Sequence, residues 1–193
     1  MITIITMPIT STAQAADAAT IITGTSTITD RVWRLTIMSK TTRATLTLQQ
    51  AGVSFTVHTY EYDPNAERIG LQAAEAMGAD PSSVLKTLMV LVDNKPACVI
   101  LPSDQEVNLK KLAAALGGKA AQMMKPADAE RITGYHVGGI SPFGQKKRVP
   151  TVLEQSAFEH RQVFINGGQR GLQVKLDPRA AAEVLEAKVT GVV

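Results

Sequence analysis

The stretch Val84-Leu85-Lys86-Thr87-Leu88-Met89-Val90-Leu91-Val92 constrains the fold more than any other part of this chain. Only Lys86 and Thr87 interrupt it, so it is too apolar for a strand with one wet face and far too short to span a membrane. It reads as a central strand covered on both sides. Asp93-Asn94-Lys95 has the residue types of a tight turn, and 96–101 reads as the returning antiparallel partner. Such a hairpin is not stable alone and needs further strands beside it and helices over its faces. The chain has 193 residues, 45% of them hydrophobic, which suffices for both within one domain.

The remaining elements follow from spacing and punctuation. Residues 41–51 have helical spacing, with Leu46 and Gln50 a turn apart and Gly52 after the end. Residues 53–60 alternate apolar and polar, as a half-buried strand does, and 71–77 form a short helix stopped by Gly78. Helices are predicted over 108–116, ahead of Gly117-Gly118, and over 126–132, with Pro126 first and Gly134 behind. Residues 149–153, 162–166 and 172–176 read as strands, the last two joined by Gly167 to Gly171. Asp177-Pro178 opens a final helix running to about Lys188. The expected architecture is one α/β domain of α+β type, with a mixed, curved, barrel-like sheet flanked by helices.

Residues 1–37 differ from the rest. They are rich in Thr, Ile and Ala, with only Asp17, Asp30, Arg31 and Arg34 charged. No basic region precedes an apolar core, so a secretory signal fits badly. Met38-Ser39-Lys40 reads as a natural start, which makes 1–37 a disordered tail or a start-site artefact and 38–193 the domain.

Charge and composition narrow the function. A net charge of +3 is compatible with docking on phosphate without demanding it. The single cysteine, Cys98, excludes an internal disulfide, fits a reducing compartment, and sits in an apolar run that favours a buried thiol over a nucleophile. His58, His136 and His160 share no cluster with one another or with Cys98, so neither a zinc site nor any other metal is expected. No dinucleotide fingerprint or P-loop is present, and no cofactor is expected.

Three features carry chemistry. Lys86, inside its apolar run, is either a strand-end lysine whose head reaches water or a fixed cation aimed at a phosphate, a ribose or a developing oxyanion. The loop Gly138-Gly139-Ile140-Ser141-Pro142-Phe143-Gly144 lets a ligand approach the backbone, although most such loops are only turns. Gly167-Gly168-Gln169-Arg170-Gly171 is a hairpin turn with a solvated arginine on its simplest reading. Lys110, Lys111, Lys146, Lys147 and Arg148 form either a phosphate-facing patch or ordinary solvated surface.

Together, and in this order and spacing, Val84 to Leu88, Gly138 to Gly144 with Lys146-Lys147 behind, and Gly168 to Leu172 resemble the YbaK-type Cys-tRNA(Pro) deacylases. The resemblance covers about residue 38 to the C-terminus. It implies a fold shared with the editing insertion of bacterial prolyl-tRNA synthetases, a cytoplasmic location, aminoacyl-tRNA and prolyl-tRNA synthetase as partners, and no role at a membrane or on DNA. It further implies that Lys86 is the essential lysine and that Thr87 shares its pocket. Tyr60 would stand at the mouth, with Gly138, Gly139, Ser141, Pro142 and Gly144 around the aminoacylated 3′ end. Asn166, Gly168 and Arg170 complete the substrate set, and the five basic residues above are expected to meet tRNA. The chain departs from the family at Asn166, where Ser is frequent, and at Gln173, where Asp is frequent. The implied reaction is removal of cysteine from tRNA(Pro), extending to Cys-tRNA(Cys), with the substrate's thiol attacking its own ester. The rivals are a deacylase for another charged tRNA, such as Ala-tRNA(Pro), and a non-catalytic module that binds tRNA or a synthetase.

Overall fold

The structure is a computed structural model that describes residues 41–64 and 69–193; the expectation for 1–37 lies outside these residues. In chain order it contains α1 (Arg43–Gln50), β1 (Phe55–Thr59), α2 (Ile69–Met77), β2 (Val84–Val92), β3 (Lys95–Pro102), α3 (Leu109–Ala115) and β4 (Ala121–Met123). It continues with α4 (Pro126–Thr133), β5 (Thr151–Glu154), β6 (Val163–Gln169), β7 (Leu172–Leu176), α5 (Pro178–Leu185) and β8 (Lys188–Thr190). The strands make one mixed sheet in the order β1-β7-β6-β2-β3-β5-β8, with β4 paired to β2 off that path.

β2 lies inside the sheet, between parallel β6 and antiparallel β3. Leu85 and Met89 pack in one core with Cys98, Ile100, Ile165 and Val174. Val90 packs in a second core with Val99, Leu101 and Leu112 of α3. Both faces of β2 are therefore covered by core residues, with Lys86, Thr87, Leu88 and Leu91 only half-buried. The hairpin turn puts Asp93 at φ 47° and Asn94 at φ 65°, the left-handed pair that a two-residue turn of matching twist requires. That turn pairs Val92 with Lys95 and so fixes Lys86 opposite Leu101.

Cys98 is fully buried, and burial pushes its thiol up to about 12, so it is not a thiolate at neutral pH. Helix ends follow their signals. Thr42 accepts from Thr45 N–H at 3.1 Å, Asn108 accepts from Lys110 and Lys111, and Gly134 is left-handed after α4.

The helix expected over 41–51 forms as α1, with Leu46 and Gln50 on its outward side and Ala44, Thr45 and Leu48 buried. Several other local expectations are corrected. β6 does not end at Asn166: it continues through a bulge to Gln169, and the connection to β7 shrinks to Arg170-Gly171. The missing side chain at Gly167 makes this possible, because a Cβ there would run into Leu172. The last helix stops at Leu185, where Glu186 turns left-handed at φ 48°, and the chain then adds β8. β4 and β8 are three residues each, too short for alternation to reveal.

Candidate active site

The inner strand β2 is incompletely paired on one edge. Val84 and Leu85 pair with β6, and Val90 to Val92 pair with β4. Lys86, Thr87 and Leu88 fall between, because β6 and β4 diverge there. β6 is drawn off by the bulge after Asn166, whose side chain secures the departure: Nδ2 donates to the Gly138 carbonyl at 3.3 Å, and Oδ1 accepts from Gly168 N–H at 2.8 Å. A cavity of about 500 Å³ occupies the split, lined by all of Leu85 to Met89. That volume suits an amino acid with part of a nucleoside.

The cavity brings Tyr60, Lys86, Thr87, Gly138 and Asn166 together, along with Gln173. Lys86 is half-buried, and its Nζ donates to the Ser103 carbonyl at 3.3 Å. Tyr60 Oη, Thr87 Oγ1 and Gln173 Oε1 are buried without a hydrogen-bond partner among the described residues. Burial pushes the Tyr60 hydroxyl up, opposed by Gln173, which lies beside it short of hydrogen-bond geometry. The hydroxyl thus stays protonated at neutral pH.

Of the rest of the glycine loop, only Ile140 reaches the cavity. Gly139, Ser141 and Pro142 are buried and do not line the cavity; Ser141 Oγ accepts from Phe143 N–H at 3.3 Å. A Cβ on Gly139 would come within 2.8 Å of the Arg170 backbone nitrogen, and one on Gly144 within 2.6 Å of the Arg43 carbonyl. Those glycines permit close packing rather than ligand approach. Gly168 abuts the Tyr135 ring. Arg170 donates to the Val137 carbonyl at 2.9 Å and lies over the Tyr62 ring at 5.4 Å, so it braces the loop from outside.

The basic residues are exposed and belong to two separate elements. Lys110 and Lys111 open α3, and Lys111 Nζ donates to the Val193 carbonyl at 2.5 Å. Lys146 and Lys147 follow α4, their backbone N–H groups donating to Thr133 and Ile132, while Arg148 pairs with Glu186 at 2.8 Å.

Sequence reasoning missed the wall formed by Ser103 to Glu106 and the one formed by Met123, Met124 and Ala129. The first was accessible: the two-residue turn sets the hairpin register and places Ser103 beside Val84, whose carbonyl accepts from Ser103 N–H at 2.8 Å. The second rests on β4, which left no readable pattern.

Fold and cavity define a mixed α/β domain whose sheet is split around a cavity lined by a lysine. The chain belongs to the aminoacyl-tRNA editing domain family, which residues 63–184 match. It is 39% identical over 124 residues to the Enterococcus faecalis protein named "Putative Cys-tRNA(Pro)/Cys-tRNA(Cys) deacylase EbsC", spanning 63% of this chain and 75% of that one. The multifunctional Ser/Thr-tRNA deacylase ProXp-y of Escherichia coli is 28% identical, over 63% and 73% of the two chains. A proline–tRNA ligase of Limosilactobacillus fermentum is 33% identical over 49% of this chain, which corresponds to 17% of the ligase. The fold matches the crystal structure of "a putative trans-editing enzyme for prolyl tRNA synthetase" with a TM-score of 0.67 at 20% identity, covering 78% of this chain and 94% of that one. Among the described residues no helix is long and apolar enough to cross a membrane, and no three His, Cys, Asp or Glu residues cluster as a metal site.

Proposed function

We propose that this chain is a trans-editing aminoacyl-tRNA deacylase that removes cysteine from tRNA(Pro), with Cys-tRNA(Cys) as a further substrate, in the cytoplasm and alongside prolyl-tRNA synthetase. The observation that carries the reading is the cavity itself. It sits at Lys86 in a member of the editing family, and among the described residues its lining contains no His or Cys to act as nucleophile. An aminoacyl ester is already activated, so positioning does most of what a catalyst must do. The substrate's sulfur attacks its own carbonyl carbon, a sulfur–acyl bond forms, and the ester C–O bond breaks. The thiol proton ends on the ribose hydroxyl of the released tRNA. Lys86 supplies a fixed cation near the ester, and Gly138 lets the 3′ end approach the backbone. Asn166 holds the Gly138 loop against β6 rather than serving as the chief substrate contact.

A second reading has its own observation. Tyr60 Oη and Gln173 Oε1 are buried and unpartnered, and a side-chain hydroxyl would satisfy them better than a thiol. Seryl or threonyl esters then become substrates, cleaved by water. A panel of Cys-, Ser-, Thr-, Ala- and Pro-tRNA(Pro) tests both. Fastest loss of the cysteinyl ester is expected, faster Ser or Thr cleavage would move the assignment to the second reading, and no hydrolysis of any would leave only a binding module.

Lys146 and Lys147 are the better phosphate contacts of the basic set, since Arg148 is paired with Glu186. Neutralising both is expected to weaken tRNA binding and to reduce the slope of log affinity against log salt by about one to two. An unchanged slope would return the pair to ordinary solvated surface.

A further inference from the structure

Strand geometry makes the split in the sheet chemically specific. Along a strand, successive residues direct their N–H and C=O groups to opposite edges. The Val84 carbonyl accepts from Ser103 N–H on the β3 side, and the Met89 carbonyl accepts from Met124 N–H at 3.1 Å on the other. Leu85, Thr87 and Met89 therefore share the edge that faces β6 and β4. Pairing on that edge stops at Leu85, opposite Ile165, and resumes with the Met89 carbonyl. The N–H and C=O of Thr87, followed by the N–H of Met89, are left without a strand partner among the described residues, and the cavity fills the space a strand would occupy. The unpartnered Thr87 Oγ1 belongs to the same residue.

Native folds rarely leave two adjacent backbone groups of an inner strand without a protein partner, so such a pair on a cavity wall is placed to meet a ligand. A donor and an acceptor presented on one residue of an open edge suit a ligand that carries both, as an added strand does. An α-aminoacyl ester carries an amine and a carbonyl on neighbouring carbons. We propose that the backbone of Thr87 is the clamp for the aminoacyl group: its N–H donates to the ester carbonyl oxygen, and its C=O accepts from the α-amine. This rests on the deacylase reading and adds the element that orients the reacting carbonyl in the cavity beside Lys86. The clamp reads only what all aminoacyl esters share, which leaves side-chain choice to Tyr60, Gln173 and the Met walls.

The test replaces the Thr87 amide by an ester, introducing the α-hydroxy analogue of threonine by nonsense suppression in cell-free synthesis, so the side chain stays and the N–H goes. The control is the same change at Leu91, whose N–H lies on the edge paired with Gln122 of β4 and whose side chain does not line the cavity. In the folded Thr87 variant kcat is expected to fall about 100- to 1,000-fold, as for loss of a single oxyanion donor, while the Leu91 variant loses thermal stability and keeps its rate. In parallel, a non-hydrolysable 3′-cysteinylamido-adenosine is titrated into ¹⁵N-labelled wild type, and the Thr87 amide proton is expected to move downfield. An active wild type with an undiminished Thr87 ester variant would overturn the clamp and leave the deacylase reading intact. An inactive wild type whose Thr87 amide still moves would uphold the clamp as a binding device and remove the deacylase reading. An inactive wild type with an unmoved amide would remove both.

Discussion

Lys86→Ala is expected to abolish most deacylation while leaving the fold intact. Lys86 lies in β2 beside the cavity, half-buried, with its ammonium 3.3 Å from the Ser103 carbonyl, so its head is held at the split rather than trailing into solvent. A preorganised cation near the ester stabilises charge as it develops, and losing such a donor costs about 2.7–4 kcal/mol in the transition state, or about 100- to 1,000-fold in kcat. Lys86→Arg should also be poor, because a planar fork does not reproduce a compact ammonium that must serve a carbonyl and a substrate together. Turnover of Cys-tRNA(Pro) by wild type and the two variants, with circular dichroism on each, decides the matter. A folded alanine variant with a near-normal rate would make Lys86 a packing residue with a wet head.

The sequence made the centre of this molecule legible and left its margins obscure, for physical reasons. β2 and β3 were readable because burial on both faces demands an unbroken apolar run, and because Asp93-Asn94 suits a turn with two left-handed residues. Lys86 stood out against that background. Gly138 to Gly144 was rightly expected to be a loop, yet its glycines serve different ends. Gly138 faces the cavity, whereas Gly139 and Gly144 press against Arg170 and Arg43 backbone. Composition cannot separate those roles, since both need the same missing side chain. The incomplete pairing of β2 was beyond reach, because it depends on where β6 and β4 diverge. β4 is three residues long, and the bulge in β6 looked like a loop. Asn166 entered the expected substrate set through the family resemblance; it does line the cavity, and its amide also engages Gly138 and Gly168, a brace that only the structure reveals.

Glu154→Ala is expected to be the most damaging change away from the cavity. Glu154 ends β5 and is only 2% exposed, an unusual burial for a carboxylate. Its Oε2 accepts from Val192 N–H at 2.5 Å and from Val193 N–H at 3.1 Å, and Oε1 lies 3.4 Å from Ser156 N–H. The carboxylate thus fastens the segment after β8, whose Val192 is buried in the core shared by Val90, Val99 and Leu112. Alanine would leave those backbone donors buried without an acceptor and open a cavity beneath them. Hydrogen bonds to a charged group contribute about 1.5–3 kcal/mol each, so a net loss of about 3 kcal/mol is expected. For a chain of this size, that corresponds to a fall in Tm of about 6–12 °C. Glu154→Gln keeps an acceptor without the charge and should fall between alanine and wild type. Because Glu154 does not line the cavity, both variants should retain deacylation at temperatures where they remain folded. A melting temperature within about 2 °C of wild type for the alanine variant would show that apolar packing and the contacts of Asn108 and Lys111 to Val192 and Val193 hold the segment without Glu154.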